Sequence, residues 1–170
     1  SGSFDWGYVA SEQDLLIGSA VLSGTSFDEY YGRTQWYDAT SGPDAAKVVS
    51  DKLFAASKAD GYEFWQRQNG LIQNATITIS DGQVMFVETR SPDLQQVATR
   101  RFASSQLAQN QFLVALDART GKRLWEKALA GIDGTTMLNM SATNRHLVLV
   151  ASHPKQFDIT TFDMTTGDEL

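Results

Sequence analysis

Apolar and polar residues alternate with a period of two along most of this chain. Thr76-Ile77-Thr78-Ile79-Ser80 and Gln83-Val84-Met85-Phe86-Val87-Glu88 flank the pair Asp81-Gly82. Such alternation around Asp-Gly predicts a β-hairpin, because both turn positions tolerate positive φ. Residues 6–11 and 14–21 repeat the pattern around Glu12-Gln13, and residues 139–143 and 146–151 repeat it around Asn144-Arg145. A third β-rich run follows each hairpin, over 52–57, 112–117 and 157–163. A fourth follows the first two, over 62–68 and 123–129. Helical periodicity is nearly absent. Only residues 92–97, opening on Pro92, predict a short helix.

Between the third and fourth runs lies a repeated phrase. Its clearest copy is Ala115-Leu116-Asp117-Ala118-Arg119-Thr120-Gly121-Lys122-Arg123-Leu124-Trp125. A degraded copy runs from Ala55 to Trp65, with Ala56, Ser57 and Asp60 at changed positions. A third starts at Thr161 and stops at Leu170, where a Trp would follow. Gly61, Gly121 and Gly167 fall 60 and 46 residues apart. A period in the mid-forties suits one four-stranded propeller blade with strands A to D, and the longer spacing requires an insertion. The expected fold is all-β: a partial β-propeller of four-stranded antiparallel blades, about two and three-quarter of them. Long insertions between strands B and C are expected in the first two, over about residues 22–50 and 90–110. The expected boundaries are about 4–69, 70–131 and, for an incomplete third blade, 132–170. A repeat interrupted at its last strand reads as a piece of a larger protein, and Ser1-Gly2-Ser3 as a cloning scar without a signal peptide.

The chemistry of the phrase is that of a turn. Its Gly takes positive φ, and its Asp accepts hydrogen bonds from the turn backbone. Trp65 and Trp125 bury large rings and each need one partner for the indole N–H, which suits a stitch between neighbouring units. Composition narrows the functions. Fourteen basic residues stand against 20 acidic ones, a net charge of −6. That argues against a nucleic-acid or anionic-membrane surface, and the pair Arg100-Arg101 reads as a solvated loop. No cysteine is present, so disulfides, thiolate metal sites and Cys nucleophiles are excluded within these residues. No run is long and apolar enough to span a membrane.

The phrase Ala115-x-Asp117-x-x-Thr120-Gly121-Lys122-x-x-Trp125 resembles the tryptophan-docking motif of the quinoprotein (PQQ-like) β-propeller repeat. That family includes quinoprotein alcohol dehydrogenase-like and BamB-like members. Residues 70–79 and 84–90 resemble the large bacterial PQQ-like repeat proteins. The resemblance implies a bacterial source and a periplasmic or extracellular location. It also implies that each Trp stacks between its own repeat and the next. It does not imply one chemistry. The vicinal Cys pair usual in quinoprotein dehydrogenases is missing, and no catalytic Asp or Ca²⁺-ligand cluster of that family matches here.

In a propeller the starts of strands A and the ends of strands B share one rim. That placement brings Asn74, Glu88 and Arg90 of the second unit to the rim, with Asn139, Ser152 and His153 of the third. On the hairpin alignment Arg90 corresponds to His153. Together with the aromatics of the first insert (Phe27, Tyr30, Tyr31, Trp36, Tyr37) they are candidates to edge a ligand or partner surface. The plainer alternative is that they cap strand ends. Asn74-Ala75-Thr76 and Asn139-Met140-Ser141 match the glycosylation sequon by chance, on strands. The two His have no metal-ligand spacing. Asp133-Gly134 and Asp158 are too sparse for a Ca²⁺ loop. No catalytic or metal residue is assigned.

Three functions fit. The first is a non-catalytic binding or scaffold module whose partners are the remaining blades or other copies of the chain. The second is part of a PQQ- and Ca²⁺-dependent alcohol or sugar dehydrogenase, the one reading that requires a cofactor. The third is a glycan-binding propeller using the aromatic first insert.

Overall fold

The computed structural model describes residues 3–25, 46–130, 135–143 and 145–170. The first insert's aromatics, Asp133-Gly134 and Asn144 lie outside the described residues. In chain order the strands are β1 (Phe4–Glu12), β2 (Leu15–Leu22), β3 (Ala46–Ser50), β4 (Lys52–Ser57), β5 (Glu63–Arg67), β6 (Leu71–Gln73), β7 (Thr78–Ser80) and β8 (Gln83–Thr89). There follow helix α1 (Pro92–Gln96), β9 (Arg101–Ala103), helix α2 (Ser104–Leu107), β10 (Gln111–Asp117), β11 (Arg123–Leu129), β12 (Met137–Thr143), β13 (His146–Ser152) and β14 (Phe157–Asp163).

The strands form three antiparallel sheets that follow one another along the chain. The first is β1-β2-β4-β5 and the last is β12-β13-β14. The middle sheet is built on β8, β10 and β11 and extends inward through β6. Alternation places every second residue of β8 on each face. Val84 and Phe86 pack with Ile17, Leu53 and Leu116 in a core between the first and second sheets. Met85 and Val87 pack with Leu113, Leu147 and Phe162 in a core between the second and third. Sheets of this kind, each buried against its neighbour, make the chain a partial β-propeller.

The phrase forms the same turn three times. Gly121 N–H donates to Asp117 O and Asp117 N–H to Lys122 O. Gly167 with Asp163, and Gly61 with Ser57, repeat the first bond. The Asp117 carboxylate accepts from Thr120 N and Thr120 Oγ1, both at 2.7 Å. Those bonds hold its carboxyl below the usual Asp range. In the degraded copy Ser57 Oγ takes the acceptor role, from Ala59 N at 3.2 Å. The residue after this position ties each turn to its own hairpin: Lys58, Ala118 and Met164 donate N–H to Asp14, Gly82 and Arg145 carbonyls. In the third unit the fourth strand is represented by a single bridge, Phe162 to Glu169.

Four expectations require correction. The first insert is not all loop, because its last residues form β3, which pairs with β6 of the second sheet. The second insert returns β9 to the other edge of β3, through Ala46–Ala103, Lys47–Phe102 and Val48–Arg101. Strand A of the second unit is broken at a 3-10 turn, Asn74–Thr76. Thr76 explains the break: its buried Oγ1 accepts the Val87 N–H at 2.8 Å and donates to Gln73 O at 2.7 Å, replacing ladder bonds. One consequence is that Asn74 lies in that turn and not on a strand. The first hairpin turns at Gln13-Asp14, one residue later than expected, with Gln13 at φ 52. Arg100-Arg101 is not a solvated pair. Arg100 is 12% exposed and its Nε binds Asp51 Oδ1 at 2.6 Å, while Arg101 Nε donates to Thr25 O.

Candidate functional site

The two described tryptophans of the phrase join sheet to sheet. Trp65 of β5 donates its indole N–H to Ala118 O at 3.0 Å, in the turn of the second sheet. Trp125 of β11 donates to Met164 O at 2.8 Å, in the turn of the third. Each ring lies on a glycine. A Cβ built on Gly121 would stand 2.6 Å from the Trp65 ring, and one on Gly167 2.4 Å from Trp125. With φ of 68° and 72°, neither position admits another residue cheaply. Gly61, at the same place in the first sheet, has no described residue within 4 Å of a built Cβ.

At the opposite end of the first interface, Glu88 and Arg90 join a chain of charges. Glu88 is fully buried and accepts from Arg67 Nη2 at 2.7 Å, Arg67 Nε at 3.2 Å and Arg90 Nε at 2.7 Å. Arg90 also grips Glu126 through Nη2 at 2.8 Å, and Arg123 Nη1 holds the same carboxylate at 2.9 Å. The Arg90 guanidinium lies 4.0 Å over the Phe112 ring. Signs alternate along the five residues, so each buried charge meets an opposite one, the condition under which burial is tolerable. Arg90 first and Arg123 after it lower the Glu126 carboxyl to about 2, and Glu126 in turn raises Arg90. Arg67 and Glu126 carry no local sequence signal for this role, since Glu88 and Arg90, which they bind, lie on or just past another strand.

Asn74 is buried at the meeting point of β2, β3 and the 3-10 turn. Its Oδ1 accepts from Ser19 Oγ at 2.8 Å and Ser50 Oγ at 2.7 Å, and the hydroxyls stand 2.9 Å apart. Gly7 is required beside them, because a Cβ there would come within 2.2 Å of Ser50 Oγ. In the third sheet Asn139 is exposed on β12. His153 lies just past β13, and its Nε2 is 2.9 Å from Asp158 Oδ2. Ser152 O accepts both Thr136 N and Thr136 Oγ1. The candidates therefore divide. Glu88 and Arg90 share one network, Asn74 sits in another, and Asn139 and His153 stand apart on the third sheet.

Between the second and third sheets lies a cavity of about 30 Å³, lined by Gln73, Asn74, Gln111, Ser104, Met137 and Leu138 among others. Neither Gln73 nor Gln111 had a signal in the sequence, since an inward amide on a strand looks like any polar residue there.

The donor set can be weighed against a Ca²⁺-bound quinone. Calcium takes six to eight oxygen ligands, usually with several carboxylates. Among the described residues no group of three His, Asp or Glu is close enough to hold a metal. Glu88 and Glu126 are each engaged by two guanidinium groups. The described residues do not fit that group.

No protein-family model matches this chain, and no curated protein matches it. Among solved structures it is similar to a europium-containing methanol dehydrogenase, at 13% identity over 98% of this chain and 26% of that one, with a TM-score of 0.48. A quinohemoprotein alcohol dehydrogenase from Pseudomonas putida HK5 is 14% identical over 78% of this chain and 19% of that one, with a TM-score of 0.45. BamB from Moraxella catarrhalis is 13% identical over 95% of this chain and 49% of that one, with a TM-score of 0.41. This chain thus spans about a quarter of the methanol dehydrogenase and about half of BamB.

Proposed function

We propose that this chain is a run of PQQ-like β-propeller blades, over about 4–69, 70–131 and 132–170, acting as a non-catalytic binding and scaffold module. The observation that carries the reading is the repeated stitch. Two Trp-on-Gly contacts bind sheet to sheet, and a third seat of the same build stands open at Gly61 and the Lys58 carbonyl. The outer face of the first sheet also exposes Phe4 and Trp6, at the end away from Gly61, and the third sheet exposes Phe157 and Ile159. Surfaces of that kind serve stacking against a further blade or another copy of the chain. Use of Glu88, Arg90 and Asn74 in internal bonds agrees with a scaffold role. A bacterial, periplasmic or extracellular setting belongs to the same reading. Among the described residues no helix is long and apolar enough to cross a membrane.

Two measurements test it. Sedimentation over a concentration series is expected to show self-association of the isolated chain, and a strict monomer at all concentrations would oppose the stacking role. Incubation of the full-length protein with PQQ and Ca²⁺ is expected to give neither cofactor absorbance nor dye-linked alcohol oxidation. Appearance of both would replace the scaffold with the dehydrogenase reading.

A further inference from the structure

The cavity between the second and third sheets holds two polar atoms that the fold leaves unanswered. Gln111, on β10, is 3% exposed, and its Oε1 has no hydrogen-bond partner among the described residues. Gln73, on β6, has a buried Nε2 with none among them either. Both side chains line the cavity. Burying an acceptor or donor without a partner costs on the order of 1–3 kcal/mol, so two facing one cavity call for an explanation.

The sheet explains their separation. β6 and β10 both pair with β8, on opposite sides of it, through Leu71–Thr89 and Gln111–Thr89. Two strand spacings put their backbones roughly 9–10 Å apart. A bridging group between the two amides must therefore accept at the Gln73 end and donate at the Gln111 end. The other polar neighbours are occupied: Asn74 by Ser19 and Ser50, and Ser104 Oγ by Thr136 O, while Lys47 and Thr135 also line the cavity and each has a partner of its own. Val48, Ala75, Ala108, Met137 and Leu138 supply the apolar part of the wall, and no carboxylate of the described residues lines it.

We propose that this cavity is a binding site for an acetamido group, as carried by an N-acetylated sugar. The carbonyl of such a group accepts from Gln73 Nε2, its N–H donates to Gln111 Oε1, and its methyl meets the apolar wall. A cavity of about 30 Å³ holds roughly two waters, or one compact group of a few heavy atoms. A carboxylate lacks the donor that Gln111 requires, and an ammonium lacks the acceptor that Gln73 requires. The site is independent of the scaffold reading and needs no neighbouring blade.

The test is a titration of the whole chain with acetamide, N-acetylglucosamine and glucose, followed through the side-chain amide NMR signals of Gln73 and Gln111. Both N-acetyl probes are expected to shift those signals, and glucose at equal concentration is not. Gln73→Leu and Gln111→Leu should each weaken binding at least tenfold. Unfolding by urea checks each variant's fold, and if Gln111→Leu does not fold, the half-buried Gln73→Leu carries the comparison. No shift with either N-acetyl probe, or an equal shift with glucose, would overturn the proposal and leave a bridging water as the sole occupant.

Discussion

The two inter-sheet interfaces share one end and differ at the other. Each carries a Trp ring on a Gly and an indole bond to the next sheet's turn. Beyond that the first interface is closed by five alternating charges from Arg67 to Arg123. The second has the Gln73–Gln111 cavity near the corresponding end of β8 and β10. The repeat thus prescribes the stitched end, where the turn, the glycine and the ring must agree. The other end is free to take whatever chemistry its side chains supply.

Replacement of the stitch should give the largest effect. Trp125→Ala removes a ring that is 8% exposed together with its bond to Met164 O, and should cost about 3–5 kcal/mol in urea unfolding. The less buried Trp65 should cost less, and equal losses would erase that difference between the interfaces. Next comes Glu88→Ala, which strands Arg67 in the first interface and leaves Arg90 with Glu126 alone. A loss of about 3 kcal/mol is expected, with recovery on adding Arg67→Met. If Glu88→Ala is neutral, the charge chain contributes nothing to closure.

A smaller effect is read against pH. The Glu126 carboxyl is lowered in the folded state, so its stabilisation is complete above its ordinary value of 4.5. It is lost as pH falls towards about 2. Allowing for solvent screening, the loss should be on the order of 1–2 kcal/mol and should disappear in Glu126→Gln. Smallest is Arg119→Ala. It breaks a surface pair with Asp14, which tethers the two turns, and the melting temperature should not change measurably.

Local chemistry made much of the fold legible. Asp81 and Gly82, at φ of 51° and 71°, form the hairpin turn that their residue types predict. The short helix after Pro92 and the strand from Arg123 to Leu129 follow from the same kind of signal. Ser57 shows a further point: the weakest copy of the phrase keeps the turn because a hydroxyl can replace a carboxylate as acceptor. What stayed hidden depends on partners distant in sequence. Nothing within Ala46–Ser50 says that it pairs with β6 and β9 rather than with its own sheet. Thr76 reads as one more β-branched residue in an alternating run until Val87 N–H is seen bound to its hydroxyl. Glu88 and Arg90 stood out by position, but Arg67 and Glu126, which saturate them, lie 21 and 36 residues away.

The placement of β3 has a consequence for modularity. Repeat proteins are commonly lengthened, shortened or shuffled one unit at a time, because each unit owns its strands. Here the first unit lends a strand to the second, and the second returns β9 to hold it. Deleting or transplanting either unit alone would leave β6 without its edge partner or β3 without a sheet. Moving either repeat alone therefore breaks the β6–β3–β9 pairing, whereas moving the two together keeps it.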